Sequence, residues 1–190
     1  MMRELSLYIL DIAQNSISAG ASLIEISVEE NTQSDFLTIT ITDNGCGMSS
    51  EQISLVTDPF YTTRTTRRVG LGLPLFRMAA EQAGGNLGIE SVLGKGTTVA
   101  ANFVLSHIDR APLGDLQGTI TALIRLNPDR DFLFRHSIDQ RSVTVDTRVL
   151  RNVLGEIALN TPEVMSWISE YIDEQEKTLS GLLPGKTELL

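Results

Sequence analysis

Two runs of strictly alternating residues, separated by a short polar stretch, restrict this fold more than any other feature of the chain. In Leu23–Glu29 the side chains of Ile24, Ile26 and Val28 fall on one face, while Leu23, Glu25, Ser27 and Glu29 fall on the other. Phe36–Thr42 repeats the pattern with Leu37, Ile39 and Ile41 on one face. A period of two marks a strand with one buried face. Asn31–Asp35 between the runs is polar and turn-forming, so the pair is expected as an antiparallel hairpin. A lone hairpin is barely stable in water, so this one needs further elements over its apolar face.

The flanking sequence supplies them. Leu5, Tyr8, Ile9, Ile12 and Ile17 form a helical stripe over residues 5–19, and Gly20 is a stop signal. Ser49 and Ser50 offer N-caps for a short helix reaching Val56. Residues 58–69 lack an apolar period and read as a loop. Gly70–Gly72 opens a helix through Ala83, which Gly84 and Gly85 end. Asn86–Val92 and Thr97–Leu105 read as strands joined by Gly94-Lys95-Gly96. Pro112, Gly114 and Gly118 then break the pattern.

Beyond the break, Thr119–Leu126 alternates like a strand, and so does Phe132–Ile138; Val143 and Val145 mark a third strand. Thr147 is a candidate cap for a helix through Leu154, and Thr161-Pro162 starts another carrying Val164, Ile168, Tyr171 and Ile172 on one face. The expected organisation is a domain over residues 1–106, a linker over 107–118, and a small C-terminal α+β extension over 119–190.

Charge and composition narrow the function. The chain has 190 residues and a net charge of −9, which argues against nucleic acid and anionic membranes as partners. The local basic excess is Arg64, Arg67 and Arg68, enough for a phosphate ligand but few for a polymer. The single cysteine, Cys46, permits no internal disulfide. Neither a signal peptide nor a long apolar span is evident, so a cytoplasmic location is expected.

Four segments carry chemistry. Asp11 and Asn15 lie one helical turn apart, where a carboxylate and a carboxamide can share a hard cation such as Mg²⁺; a solvated polar face would look the same. Asp43-Asn44-Gly45-Cys46-Gly47-Met48 follows an apolar strand directly. Gly45 and Gly47 permit positive φ and close approach of a ligand, although Asp-Asn-Gly is also a common turn string. Gly70, Leu71 and Gly72 open a helix, whose free N–H groups and dipole favour an anion. No dinucleotide fingerprint or P-loop string is present. Gly94-Lys95-Gly96-Thr97-Thr98 reads first as a plain hairpin turn, from which Thr97 or Thr98 could also place a hydroxyl beside a ligand.

In order and spacing, residues 5–105 resemble the ATP-binding domain shared by DNA gyrase, the Hsp90-type chaperones, sensor histidine kinases and MutL-type repair proteins, with the histidine-kinase version nearest. Asp11 with Asn15 looks like the N box and Asp43–Met48 like the first glycine box. Asp58-Pro59-Phe60-Tyr61-Thr62-Thr63-Arg64 looks like the F box, and Gly70-Leu71-Gly72-Leu73 like the second glycine box. The resemblance implies a Bergerat-type α/β sandwich, a mixed sheet with helices on one face, binding ATP and Mg²⁺. Asp43 would take the adenine amino group, with Gly45 and Gly47 lining the base pocket and Thr97 completing it. Asn15 would hold Mg²⁺, and Gly70, Leu71 and Gly72 would meet the phosphates. Residues 58–69 would form a lid, with Arg64, Arg67 or Arg68 neutralising phosphate charge.

Asp11 stands where hydrolysing members carry a glutamate base. It is the candidate base here, one methylene shorter. Only four residues precede the first helix in this sequence, so a phosphoacceptor hairpin ahead of the domain is not expected, and His107 and His136 read as surface or satisfied core histidines. By analogy with single-domain anti-sigma kinases, the expected function is that of a stand-alone kinase-like ATP domain acting on a separate protein partner. A nucleotide-sensing adaptor and a slow ATPase are the alternatives, and a homodimer is left open.

Overall fold

A computed structural model describes residues 2–56 and 72–181. The expected lid and three of the expected ligand-binding residues, Arg64, Gly70 and Leu71, lie outside these. Twelve elements follow in order among the described residues: α1 (Leu5–Ser18), β1 (Leu23–Asn31), β2 (Phe36–Asp43), α2 (Ser50–Val56), α3 (Gly72–Gln82), β3 (Asn86–Val92), β4 (Gly96–Val104), α4 (Leu116–Leu126), β5 (Asp131–Ile138), β6 (Arg141–Asp146), α5 (Thr147–Leu154) and α6 (Pro162–Leu179).

The strands form one sheet in the order β3-β4-β2-β1-β5-β6. All neighbours are antiparallel except β1 and β5. This is the expected mixed, largely antiparallel α+β sheet. Register aligns the buried faces: Ile26 sits opposite Ile41 and Phe134, and Ile39 opposite Ala101. Helices cover this apolar face. Phe76 of α3 stacks on Tyr8 of α1 with ring centroids 5.0 Å apart, and lies 5.9 Å from Phe103 of β4. The opposite face carries Glu25, Thr42 and Thr98 side by side, as polar alternates of the same strands should.

Two local expectations need correction. Residues 119–126 are not a strand but most of helix α4. Leu116, Ile120, Leu123 and Ile124 face the core, and Asp115 caps the helix by accepting the Gly118 N–H at 2.7 Å. The cap of α5 is Asp146, which accepts from Arg148 N, whereas Thr147 is buried and its hydroxyl oxygen accepts the Phe132 N–H at 2.8 Å. The residues after 118 thus supply β5 and β6 to the common sheet. Residues 110–115 run against the start of α1, where Pro112 O and Leu113 O accept the Leu5 and Ser6 N–H groups.

One buried ionic cluster ties α6 to the sheet. His136 of β5 is 3% exposed. Its Nε2 lies 2.9 Å from Glu30 of β1 and its Nδ1 2.8 Å from Glu176 of α6. Burial alone would lower its pKa, but hydrogen bonds to Glu176 and Glu30 and their negative charge outweigh that and raise it to about 9. A raised folded-state pKa stabilises the protonated native state. The contribution, about 3 kcal/mol, is complete below pH ~6.5 and disappears as pH rises through ~9. Denaturant midpoints should therefore fall between these limits, and His136→Gln should flatten that slope.

Candidate functional site

The site forms where β2 ends. Asp43, the last residue of that strand, is 9% exposed. Its Oδ2 accepts from Ser16 Oγ at 2.7 Å and its Oδ1 from the Gly45 N–H at 2.8 Å. Ser16 lies on the last turn of α1, next to Asn15. One helix therefore presents both the hydroxyl that fixes Asp43 and the amide of Asn15, which is exposed.

Short bonds hold the turn that follows. The Asn44 side chain accepts from Ser22 N at 2.8 Å and Leu23 N at 3.0 Å, and donates to Ser22 Oγ at 2.9 Å, pinning the start of β1. Cys46 N donates to Ala19 O at 3.0 Å, and Gly94 N donates to Cys46 O at 2.7 Å. Met48 N donates to Ser91 Oγ at 2.8 Å, and that hydroxyl also lies 2.8 Å from Thr97 Oγ1. Thr97 sits directly opposite Asp43 in the β2–β4 register.

The glycines separate by their reasons. Gly47 has φ +65°, and a Cβ there would lie 2.1 Å from Val92 O. Gly45, expected to share the positive φ, does not; its space is limited by Ala19 O and Asp43 Oδ1, each 3.0 Å from a Cβ. Gly96 has φ +120°, and its Cβ would stand 1.9 Å from Asp43 O. Gly72, at the start of α3, would drive a Cβ to 1.6 Å from Asp11 Oδ2. These glycines let the chain close on itself around the site.

Asp11 faces that helix start. Its Oδ2 is buried without a hydrogen-bond partner, and desolvation raises the pKa of the carboxyl. The structure thus brings Asp43, Gly45, Gly47 and Thr97 together at the strand end. It sets Asp11 against Gly72 one turn before Asn15. Ser16 and Ser91 belong to the same arrangement and were not singled out by sequence, and Gly96, read there as part of a hairpin turn, closes against Asp43 O. Ser16 follows Asn15 on α1 but is buried and contacts a residue 27 positions away, so only the fold reveals it.

A helix-backed mixed sheet with a fixed carboxylate at a strand end, beneath a glycine turn, defines the class as an α+β sandwich with helices over one face of the sheet. A model of the histidine kinase-, DNA gyrase B- and HSP90-like ATPase family matches residues 2–107, and the chain belongs to that family. It is 32% identical over 109 residues to a putative sensor protein of Shewanella frigidimarina, covering 56% of this chain and 17% of that protein. Over 94 residues it is 35% identical to sporulation kinase B of Bacillus subtilis, covering 48% and 21%. It is 34% identical over 94 residues to the sensor histidine kinase ZraS of Salmonella typhimurium, covering 49% and 20%. The chain thus spans about a fifth of the length of these relatives. The N-terminal domain of a DNA repair protein superposes with a TM-score of 0.53 at 15% identity, covering 76% of this chain and 52% of the other, which shows a shared fold. No helix among the described residues is long and apolar enough to cross a membrane.

Proposed function

We propose that the chain binds ATP with Mg²⁺ at the Asp43 turn and acts on, or regulates, a separate protein partner. The observation that carries the ATP reading is the fixed carboxylate of Asp43. Each of its oxygens accepts one hydrogen bond from the protein, and each keeps a lone pair with which to receive an exocyclic amino group. Gly45, Gly47 and Thr97 would line that base. Asn15 would supply an oxygen to Mg²⁺, a fit supported by its exposed amide and by the tendency of this cation to keep several waters. Bound Mg²⁺ would neutralise triphosphate charge. Gly70, Leu71 and Gly72, at and before the start of α3, would meet the phosphates, with Arg64 adding charge.

The kinase-type relatives support a role towards a protein partner. The occluded Oδ2 of Asp11 supports holding ATP, or passing its phosphate on, over hydrolysis with Asp11 as base. Calorimetry tests the site: Asn15→Ala should weaken ATP binding more with Mg²⁺ than without it. Equal losses in both conditions would sink the metal role. Label transfer from γ-labelled ATP into a captured partner separates phosphotransfer from nucleotide sensing.

A further inference from the structure

The loop between α1 and β1, residues 19–22, is gripped from two sides. The Asp43 turn holds one side: Cys46 N donates to Ala19 O, and the Asn44 side chain takes the Ser22 and Leu23 N–H groups. Residues far along the chain hold the other. Arg130 Nη1 donates to Ala21 O at 2.8 Å, and Asp131 N donates to Ser22 O at 2.8 Å. Arg151 of α5 in turn secures this second grip. Its Nε reaches Asp131 Oδ1 at 2.9 Å and its Nη2 reaches Arg130 O at 2.9 Å, with a further bond to Pro128 O. Ala21 itself is fully buried, and its N–H returns to Ser16 O, the residue whose hydroxyl fixes Asp43.

We propose that Arg130 and Arg151 are positioning residues for the Asp43 turn, acting through the α1–β1 loop. The inference rests on the reading of that turn as a nucleotide site, and it places part of the affinity control outside residues 2–107. Both guanidiniums are partly buried and bond to backbone carbonyls of the loop or of the segment that holds it. At Arg151 a planar, multi-donor group suits this task, because it holds several acceptors in one fixed geometry, whereas Arg130 makes one bond, to Ala21 O. Removing Arg130 frees Ala21 O, and the loop that carries the Ser22–Asn44 and Ala19–Cys46 bonds loosens with it.

The test uses the full chain as wild type, Arg130→Met, Arg130→Lys, Arg151→Met and His136→Gln. ATP affinity is read by calorimetry, and amide exchange at Leu23 and Cys46 is read without ligand. Each Met variant should weaken ATP binding about five- to tenfold, the range expected for one or two lost hydrogen bonds, and should speed exchange at both amides. Arg130→Lys should restore most of the loss. His136→Gln loosens α6 without touching the loop and should leave both readouts unchanged. Wild-type affinity and exchange in both Met variants, or equal losses in His136→Gln, overturn the proposal. Faster exchange in the Met variants of a chain that does not bind ATP would remove the nucleotide reading and leave the positioning role intact.

Discussion

Asp43→Asn is expected to weaken ATP binding in calorimetry by roughly one to two orders of magnitude, while the protein stays folded. An ionised carboxylate only accepts, and here each oxygen already serves one protein donor. The amide replaces one oxygen with a donor. If the NH₂ faces Ser16 Oγ, that hydroxyl must reverse; if it faces Gly45 N–H, two donors collide. In neither orientation do both oxygens remain to orient an amino group. A hydrogen bond to a charged group contributes about 1.5–3 kcal/mol, so affinity should fall at least ~10-fold and as much as ~150-fold before any rearrangement of the turn. Unchanged affinity would reject the pocket assignment outright.

The second large effect is structural in origin and functional in outcome. Gly96→Ala should lower the unfolding temperature by roughly 6–12 °C, corresponding to ~3 kcal/mol for a chain of this size. Two costs combine. Gly96 has φ +120°, a region closed to alanine, and the new Cβ would stand 1.9 Å from the carbonyl oxygen of Asp43. Relief requires the ends of β2 and β4 to part, which moves Asp43 away from Ser16. ATP affinity should therefore fall along with stability. Gly88→Ala is the control, since its Cβ would enter open space and its φ is not positive; thermal melts of the pair should differ by most of the stated interval. A melt of Gly96→Ala matching wild type would show that the turn does not depend on this contact.

Much of the fold was legible because local patterns and tertiary packing agree. The alternation of β1 and β2 states both their conformation and their buried face, and the structure pairs them in the expected hairpin. The segment from Thr119 to Leu126 shows where legibility fails. Ile120, Ala122, Ile124 and Leu126 alternate, yet Leu116, Ile120, Leu123 and Ile124 follow a helical spacing. Both periods fit, and the decision rests on Asp115 as cap and on what α4 packs against. The site divides in the same way. Asp43, Gly45 and Gly47 announce themselves as a strand-end turn, whereas Ser16, Ser91 and Gly96 matter through contacts that only the folded chain creates. Gly72 was read as an opening for an anion, and the structure adds a steric reason, its closeness to Asp11.

The one parallel pair in the sheet has a consequence for how the chain becomes this structure. Leu23 in β1 waits for Asp131 in β5, a partner more than a hundred residues later. Until β5 arrives by way of α4, one side of β1 is a bare edge, and bare edges recruit other chains. Contacts of such sequence separation are slow to form. During synthesis, β1–β4 with α1 and α3 can assemble early, but closure of the sheet falls to the last third of the chain. A piece ending near residue 107 would keep the glycine turn and leave that edge open, so aggregation should limit it before loss of the ligand site does.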